Sequence, residues 1–204
     1  MKDEKIQKSQ YPLHFSEEYI EEAQKVIDAL HELPRSGWLD RGVNNPETVG
    51  EHSDELVSLA EELFNIRGLA IMLKIHDWPE SEKNVGDRRT DNLCPIEKRC
   101  TPEKKKKDET EAIHLICSRL GSYGQALLKL WLEFEEKKTK RAILAHDLDK
   151  YQAIKKAIEY ELKGEPVVAQ DFIDYYGPKI SRRDVRYMME MAIYELKNGQ
   201  NTKA

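Results

Sequence analysis

Apolar residues along most of this chain recur every three or four positions, and alternating runs of the kind that build strands are nearly absent. The pattern therefore predicts an all-α fold, a helical bundle. A first helix, capped by Ser16, is expected over 16–33 and is closed by Pro34. Over 48–65, Val49, Leu56, Val57, Leu59, Ala60 and Leu63 recur at helical spacing, and His52 lies one turn before Leu56, on or near their face. The stretch 68–77 is almost wholly apolar (Leu69, Ala70, Ile71, Met72, Leu73, Ile75), which marks a helix buried on most sides whose last turn delivers His76 and Asp77. Further helices are expected over 108–120, 123–137, 140–163 and 181–197, the last with a stripe of Val185, Met188, Met189, Ala192 and Leu196 that reads as core.

Two irregular stretches interrupt these periods. Residues 35–46 carry Gly37, Gly42, Asn44, Asn45 and Pro46, which is turn chemistry, and form a candidate ligand rim. Residues 80–107, polar and holding Gly86, Pro95 and Pro102, read as one long loop, and a loop of that length in a compact domain is usually functional or mobile. The basic run 104–107 is flanked by Glu103, Asp108 and Glu109, so it reads as a solvated helix start and not as a nucleic-acid contact.

Composition narrows the class. With 204 residues, 39% of them apolar, the chain is long enough for one well-buried domain over 1–204. A formal net charge of −5 with 35% charged residues argues against nucleic acid or an anionic membrane as partner and favours a small soluble ligand. No apolar run approaches the roughly 20 residues that span a bilayer, and the start Met1-Lys-Asp-Glu-Lys5 lacks the apolar core of a signal peptide, so a cytoplasmic protein is expected. Cys94, Cys100 and Cys117 show no CxxC spacing and are expected as free thiols.

The chemistry sits on histidines and aspartates. His52 and the two dyads His76-Asp77 and His146-Asp147 lie in expected helices, with Asp149 two residues further on. A histidine, a His-Asp pair and a later Asp supply the mixed nitrogen and oxygen shell of a divalent metal. Two imidazoles and two carboxylates leave positions open in a six-coordinate shell, for a water and for phosphate oxygens, so the chain reads as a metal-dependent hydrolase. His14, His31 and His114 lack evident partners and read as surface or packing residues.

The ordered series His52 in Glu51-His-Ser53, Ile75-His-Asp77, Gly86-Asp87 and Leu148-Asp-Lys-Tyr151 resembles the H…HD…D signature of the HD-domain metal-dependent phosphohydrolases. More narrowly, Leu33-Pro-Arg-Ser-Gly-Trp38, Arg41-Gly-Val43, Pro46-Glu-Thr-Val-Gly-Glu-His-Ser53, Leu130-Trp-Leu-Glu-Phe-Glu135 and Gln170-Asp-Phe172 are similar to the 5′-deoxynucleotidase branch of that family. The resemblance covers about 33–196. It implies an all-helical homodimer that binds one divalent metal (Mn²⁺, Co²⁺ or Mg²⁺) and hydrolyses deoxynucleoside 5′-monophosphates with a metal-activated water. Carried over residue by residue, it implies His52, His76, Asp77 and Asp149 as ligands, with Asp149 preferred to Asp147 because it matches the family's Leu-Asp-Lys segment.

Glu80 matches the family's catalytic glutamate, and Glu82 competes with it because the interval from Asp77 to Gly86-Asp87 is two residues longer than the family pattern. Where some bacterial members carry an Arg before the tryptophan this chain has Gly37, so a phosphate or sugar contact falls to Arg35 or Arg41, with Lys83 a further cation near the rim. Trp38 is divided between core packing and contact with sugar or base, and Asp87 between a turn and substrate contact. Two other readings stand beside this one: an HD phosphohydrolase for another nucleotide or phosphomonoester, and a non-catalytic ligand-binding scaffold.

Overall fold

The computed structural model describes residues 17–201. Among these residues nine α-helices follow one another: α1 Glu17–His31, α2 Ser36–Leu39, α3 Val49–Leu63, α4 Leu69–Ile75, α5 Pro102–Arg119, α6 Gly121–Glu136, α7 Lys140–Lys163, α8 Ala169–Tyr176 and α9 Arg183–Asn201. Among the described residues there is no strand, only an isolated bridge between Pro34 and Thr48. No helix among them is long and apolar enough to cross a membrane.

The helix starts are written in side-chain chemistry. Thr48 and Glu51 form a reciprocal capping box at the head of α3. Thr101 accepts from the Lys104 amide and Pro102 sits in the first turn of α5, where its missing N–H and fixed φ cost nothing. Thr139 accepts from the Ala142 amide to start α7, and Gly164, at φ +86°, ends it. Asp147, buried within α7, accepts from the Ser181 amide and hydroxyl and the Arg182 amide at 2.8–3.0 Å, so it anchors the approach to α9.

Helix α7 is the central element. Its Leu144, Leu148 and Ile154 are fully buried and pack in one core with Leu56 of α3, Met72 of α4, Phe172 of α8 and Val185 of α9. A second core of Val26, Leu30, Ile75, Trp78, Ile113, Ile116 and Trp131 joins α1, α5 and α6 to the end of α4. The short α4 faces both cores, which is why nearly every position in it is apolar. The residue that follows its last turn, His76, is thereby delivered between two packed layers.

Several expected boundaries move. The first helix ends at His31 and not at residue 33, and its proposed Ser16 cap lies outside the described residues. The rim at 35–46 contains the single turn of α2. The expected loop 80–107 ends six residues early, because Pro102, taken as a breaker, is a helix-starting proline behind a threonine cap. The start of that stretch is not loop either, since Trp78–Ser81 form a 3₁₀ turn. Helix α8 has eight residues, too short for a period to announce itself. His31, expected without a partner, lies 3.1 Å from Asp54, whereas His114 is exposed.

The α5–α6 corner allows a test of this packing. A Cβ on Gly124 would lie 1.8 Å from the Cys117 carbonyl oxygen. Gly124→Ala should therefore cost at least the ~1–3 kcal/mol typical of overpacking and lower the thermal midpoint by several degrees; a wild-type melting curve would show that the two helices do not meet this closely.

Candidate metal centre and its cavity

His52 and His76 reach the same point from α3 and from the end of α4, and Asp149 meets them from α7. One donor atom from each lies within 4.8 Å of the others. His76 Nε2 is 3.0 Å from Asp77 Oδ2, and His52 Nε2 is 3.2 Å from Asp149 Oδ1 and 3.9 Å from Asp77 Oδ2. The cluster that could hold a metal thus joins His52, His76 and Asp149, and Asp77 borders it through both imidazoles.

The other imidazole nitrogens decide which way the rings present themselves. His52 Nδ1 lies 2.7 Å from Gln152 Oε1, while Gln152 Nε2 donates to Glu47 Oε2 and Glu55 Oε2. Since the amide N–H groups are committed to carboxylates, the amide oxygen must accept, and the proton of a neutral His52 sits on Nδ1. His76 Nδ1 likewise donates to the Leu73 carbonyl at 2.6 Å. Both Nε2 lone pairs are thus free, and both atoms are buried with no hydrogen-bond partner of acceptable geometry. Buried polar atoms without partners are costly and rare, and two of them facing two carboxylates fit a cation.

The electrostatics agree. Burial opposes charge on His76, but Asp77 and then Asp149 outweigh it and hold its pKa up at about 9. Burial also opposes ionisation of Asp77 and Asp149; His76 and His52, helped by Arg35, hold both carboxyls well below the usual range. The pair of carboxylates therefore demands positive charge, which a proton or a metal on the imidazoles can supply.

Trp131 Nε1 donates to the His76 carbonyl at 3.0 Å, and the Phe134 ring packs 5.3 Å from the His76 ring. On its other side Phe134 stacks 3.9 Å from His146. His146 Nε2 faces the Phe134 carbonyl at 2.9 Å, and burial pushes its pKa down to about 4. The second dyad is thus scaffold: His146 supports a ring wall and Asp147 anchors α9.

A cavity opens beside the cluster, and Arg35, Trp38, Asp77, Glu80, Asp87 and Asp149 all line it. Glu80 is buried; burial first, then the charge of Asp77, push its carboxyl well above the usual range, against the pull of Lys105. Glu82 turns away toward Arg119 Nη1 at 3.3 Å. Trp38 packs as core, 2% exposed, stacked on Phe172 at 4.8 Å and with its Nε1 donating to Glu47, and it also forms part of the wall. Asp87 accepts from the Ser36 amide at the start of α2 while facing the cavity. Arg41 is not in the wall; it donates to the Gly37 and Leu93 carbonyls and covers Phe172. Lys83 is exposed and also absent from the wall.

Sequence reasoning missed other members. Arg88, Arg89 and Lys105 line the cavity with Phe172 and Tyr176 of α8. Lys105 belongs to the run read as solvated, yet its ammonium lies 3.3 Å from both Glu80 and Glu109 and donates to the Arg88 carbonyl. Gln152 stands three residues after Asp149, on the same face of α7, and that spacing was the one available signal.

Residues 27–182 match the family model of the HD domain. The chain is 32% identical to the 5′-deoxynucleotidase HDDC2 of Dictyostelium discoideum over 149 residues, 67% of this chain and 75% of that one. It is 29% identical to the protein of the same name from Xenopus laevis, over 86% of each chain. Among solved structures, a predicted metal-dependent phosphohydrolase from Magnetospirillum magnetotacticum MS-1 aligns with a TM-score of 0.64 at 22% identity, covering 90% of this chain and 95% of that one, which is a likeness of fold. With this match, and with His52, the His76-Asp77 pair and Asp149 assembled at one point, the chain belongs to the HD domain family.

Proposed function

We propose that this protein hydrolyses deoxynucleoside 5′-monophosphates to deoxynucleoside and phosphate, with His52, His76, Asp77 and Asp149 holding a divalent metal. The observation that carries the reading is the pair of buried, unpartnered Nε2 atoms facing two carboxylates at the wall of an open cavity. The names of the relatives support the reaction class. An ion at this point supplies a Lewis acid that acidifies water and offsets phosphate charge.

The chain's own residues do the rest. Arg35, whose Nη1 is buried without a hydrogen-bond partner, lies in the field of Asp77, Asp87 and Asp149 and pairs with the substrate phosphate. Glu80 takes a proton from the attacking water and delivers it to the departing 5′ oxygen as the P–O5′ bond breaks. Lys105 holds Glu80 in place. The wall carries four cations against five carboxylates, and Arg88, Arg89 and Lys105 are each engaged by acids of their own. Arg35, whose Nη1 lies 3.9 Å from Glu47, is the cation nearest the proposed metal, and one such guanidinium with one metal matches a monophosphate better than a triphosphate. Trp38, pinned by Glu47 and Phe172, forms a rigid wall, and a 2′-hydroxyl packed against it would need both space and a hydrogen-bond partner.

Three outcomes are expected. After chelation, phosphate release from dAMP should vanish and return with Mn²⁺, Co²⁺ or Mg²⁺. His76→Ala should lose both metal and turnover, and full activity in the chelated variant would refute the mechanism. Gln152→Leu, which frees the His52 ring, should weaken metal binding by about 10–100-fold with the fold intact.

Glu80→Gln should slow turnover by a factor on the order of 10² to 10⁴ with metal still bound, and Glu82→Gln should have little effect. A larger loss for Glu82 would transfer the proton role.

Among substrates, dAMP should exceed both AMP and dATP in kcat/KM, the former by about ten-fold or more, since ~1.4 kcal/mol of clash or lost hydrogen bonding is one decade. Equal values for AMP and dAMP, or a preference for dATP, would favour a different phosphoester as substrate.

A further inference from the structure

We infer that Arg89 is a specificity-determining residue that reads the nucleoside end of the substrate, an inference that rests on the deoxynucleotidase reading above. Two arginines of the cavity wall have different surroundings. Arg35 lies among Glu47, Asp77, Asp87 and Asp149, at the proposed metal centre. Arg89 is paired with Asp91, and Trp38, Phe172 and Tyr176 line the same cavity.

The Arg89 guanidinium is held as a fork: Nε donates to Asp91 Oδ2 at 3.1 Å and Nη2 to Asp91 Oδ1 at 2.6 Å. Asp91 Oδ1 is in turn fixed by the Leu93 amide, and the Cys100 amide donates to the Arg89 carbonyl. The side chain is 10% exposed, so its position is set before any ligand arrives. The remaining nitrogen, Nη1, is buried with no hydrogen-bond partner.

Gly37 makes this arrangement possible. A Cβ there would meet Nη1 at 3.0 Å, so the guanidinium rests on the backbone next to Trp38, in space that any side chain would fill. The backbone of Gly37 is not in the left-handed region, so its conformation does not call for glycine; the close approach of Arg89 does.

The chemistry of the donor follows from its partner. Asp91 already neutralises the charge of Arg89, so the guanidinium adds little as a counter-ion for phosphate. What it offers is a directed N–H lacking an acceptor, suited to an uncharged oxygen or nitrogen of the sugar or base.

The test compares dAMP with p-nitrophenyl phosphate, an ester with no nucleoside, on the full chain loaded with metal. Arg89→Met should lower kcat/KM for dAMP by about ten-fold or more, mostly through KM, and that loss should exceed the loss on the nitrophenyl ester several-fold. Gly37→Ala, which displaces the guanidinium, should shift the ratio in the same direction. Arg89→Lys, which keeps the charge but not the fork, should not restore it. Metal content and thermal midpoint accompany each variant, so the two esters are compared on folded, metal-loaded protein. An equal loss on both esters, full rescue by lysine, or an unchanged ratio overturns the inference. A wild-type protein that shows no preference for dAMP over the nitrophenyl ester overturns the functional reading itself, whereas a wild type that prefers dAMP, with Arg89→Met retaining that preference, overturns this inference alone.

Discussion

The hydrogen bond between His52 Nδ1 and Gln152 Oε1 is the constraint on which the site depends. It works because the amide cannot turn over: Glu47 and Glu55 hold its two N–H groups. Glu47 also accepts from Trp38 Nε1 through its other oxygen, and its backbone amide donates to the Tyr160 hydroxyl. One chain of contacts therefore runs from the cavity wall at Trp38 through two buried polar side chains to the imidazole that faces Asp149. Buried networks of this kind are stabilising only when every member is satisfied. Here Lys155 and Lys156 complete it by pairing with Glu55. Lys156 also lies 3.6 Å from Glu47. Helix α7 supplies Asp149, Gln152 and Lys156 at spacings of three and four residues, so one helical face carries the metal-facing acid, the ring clamp and its counter-charge.

A second network, on the far side of the cavity, has a different character. Lys105 is shared by Glu80 and Glu109, so one positive charge serves one buried and one partly buried carboxyl. Burial, with neighbouring acids behind it, pushes Glu109 up to about 7 and Glu80 well above its usual value. The first network thus fixes the tautomer of one imidazole, while burial in the second favours the protonated form of both carboxyls.

Much of this was legible in the sequence, for identifiable reasons. Helix α7 was found with its observed bounds because a threonine cap, an apolar period and a terminal glycine all agree. His52, His76 and Asp149, which the fold brings together with Asp77 beside them, could be singled out because each sits in a short, ordered motif. What was not legible depends on contacts across the fold. Lys105 looks like its neighbours Lys104, Lys106 and Lys107, and only the docking of α5 beside the 3₁₀ turn at Trp78–Ser81 turns that one side chain inward. Arg41 and Lys83 had the right charge and the right neighbourhood in sequence, yet Arg41 is spent on the Gly37 and Leu93 carbonyls and Lys83 points to solvent. Charge type is a local property of a sequence, whereas the availability of a charge is settled by its partners.

The same reasoning links the metal centre to the stability of the fold. Asp77 and Asp149 converge on two imidazoles at the seam between α3, α4 and α7, with Glu80 buried three residues beyond Asp77. Without compensating positive charge, carboxylates gathered at such a seam repel one another and oppose the packing that brings them together. In the unfolded chain the four donors are dispersed, so a cation that needs all of them binds the folded state alone and stabilises it by mass action. Helix α4 is the element this coupling should grip most firmly, because its seven residues make a short helix that depends on tertiary packing, and the imidazole at its end is fixed to its own Leu73 carbonyl. The residues that would bind the metal are thus also the residues that close the joint between the two cores.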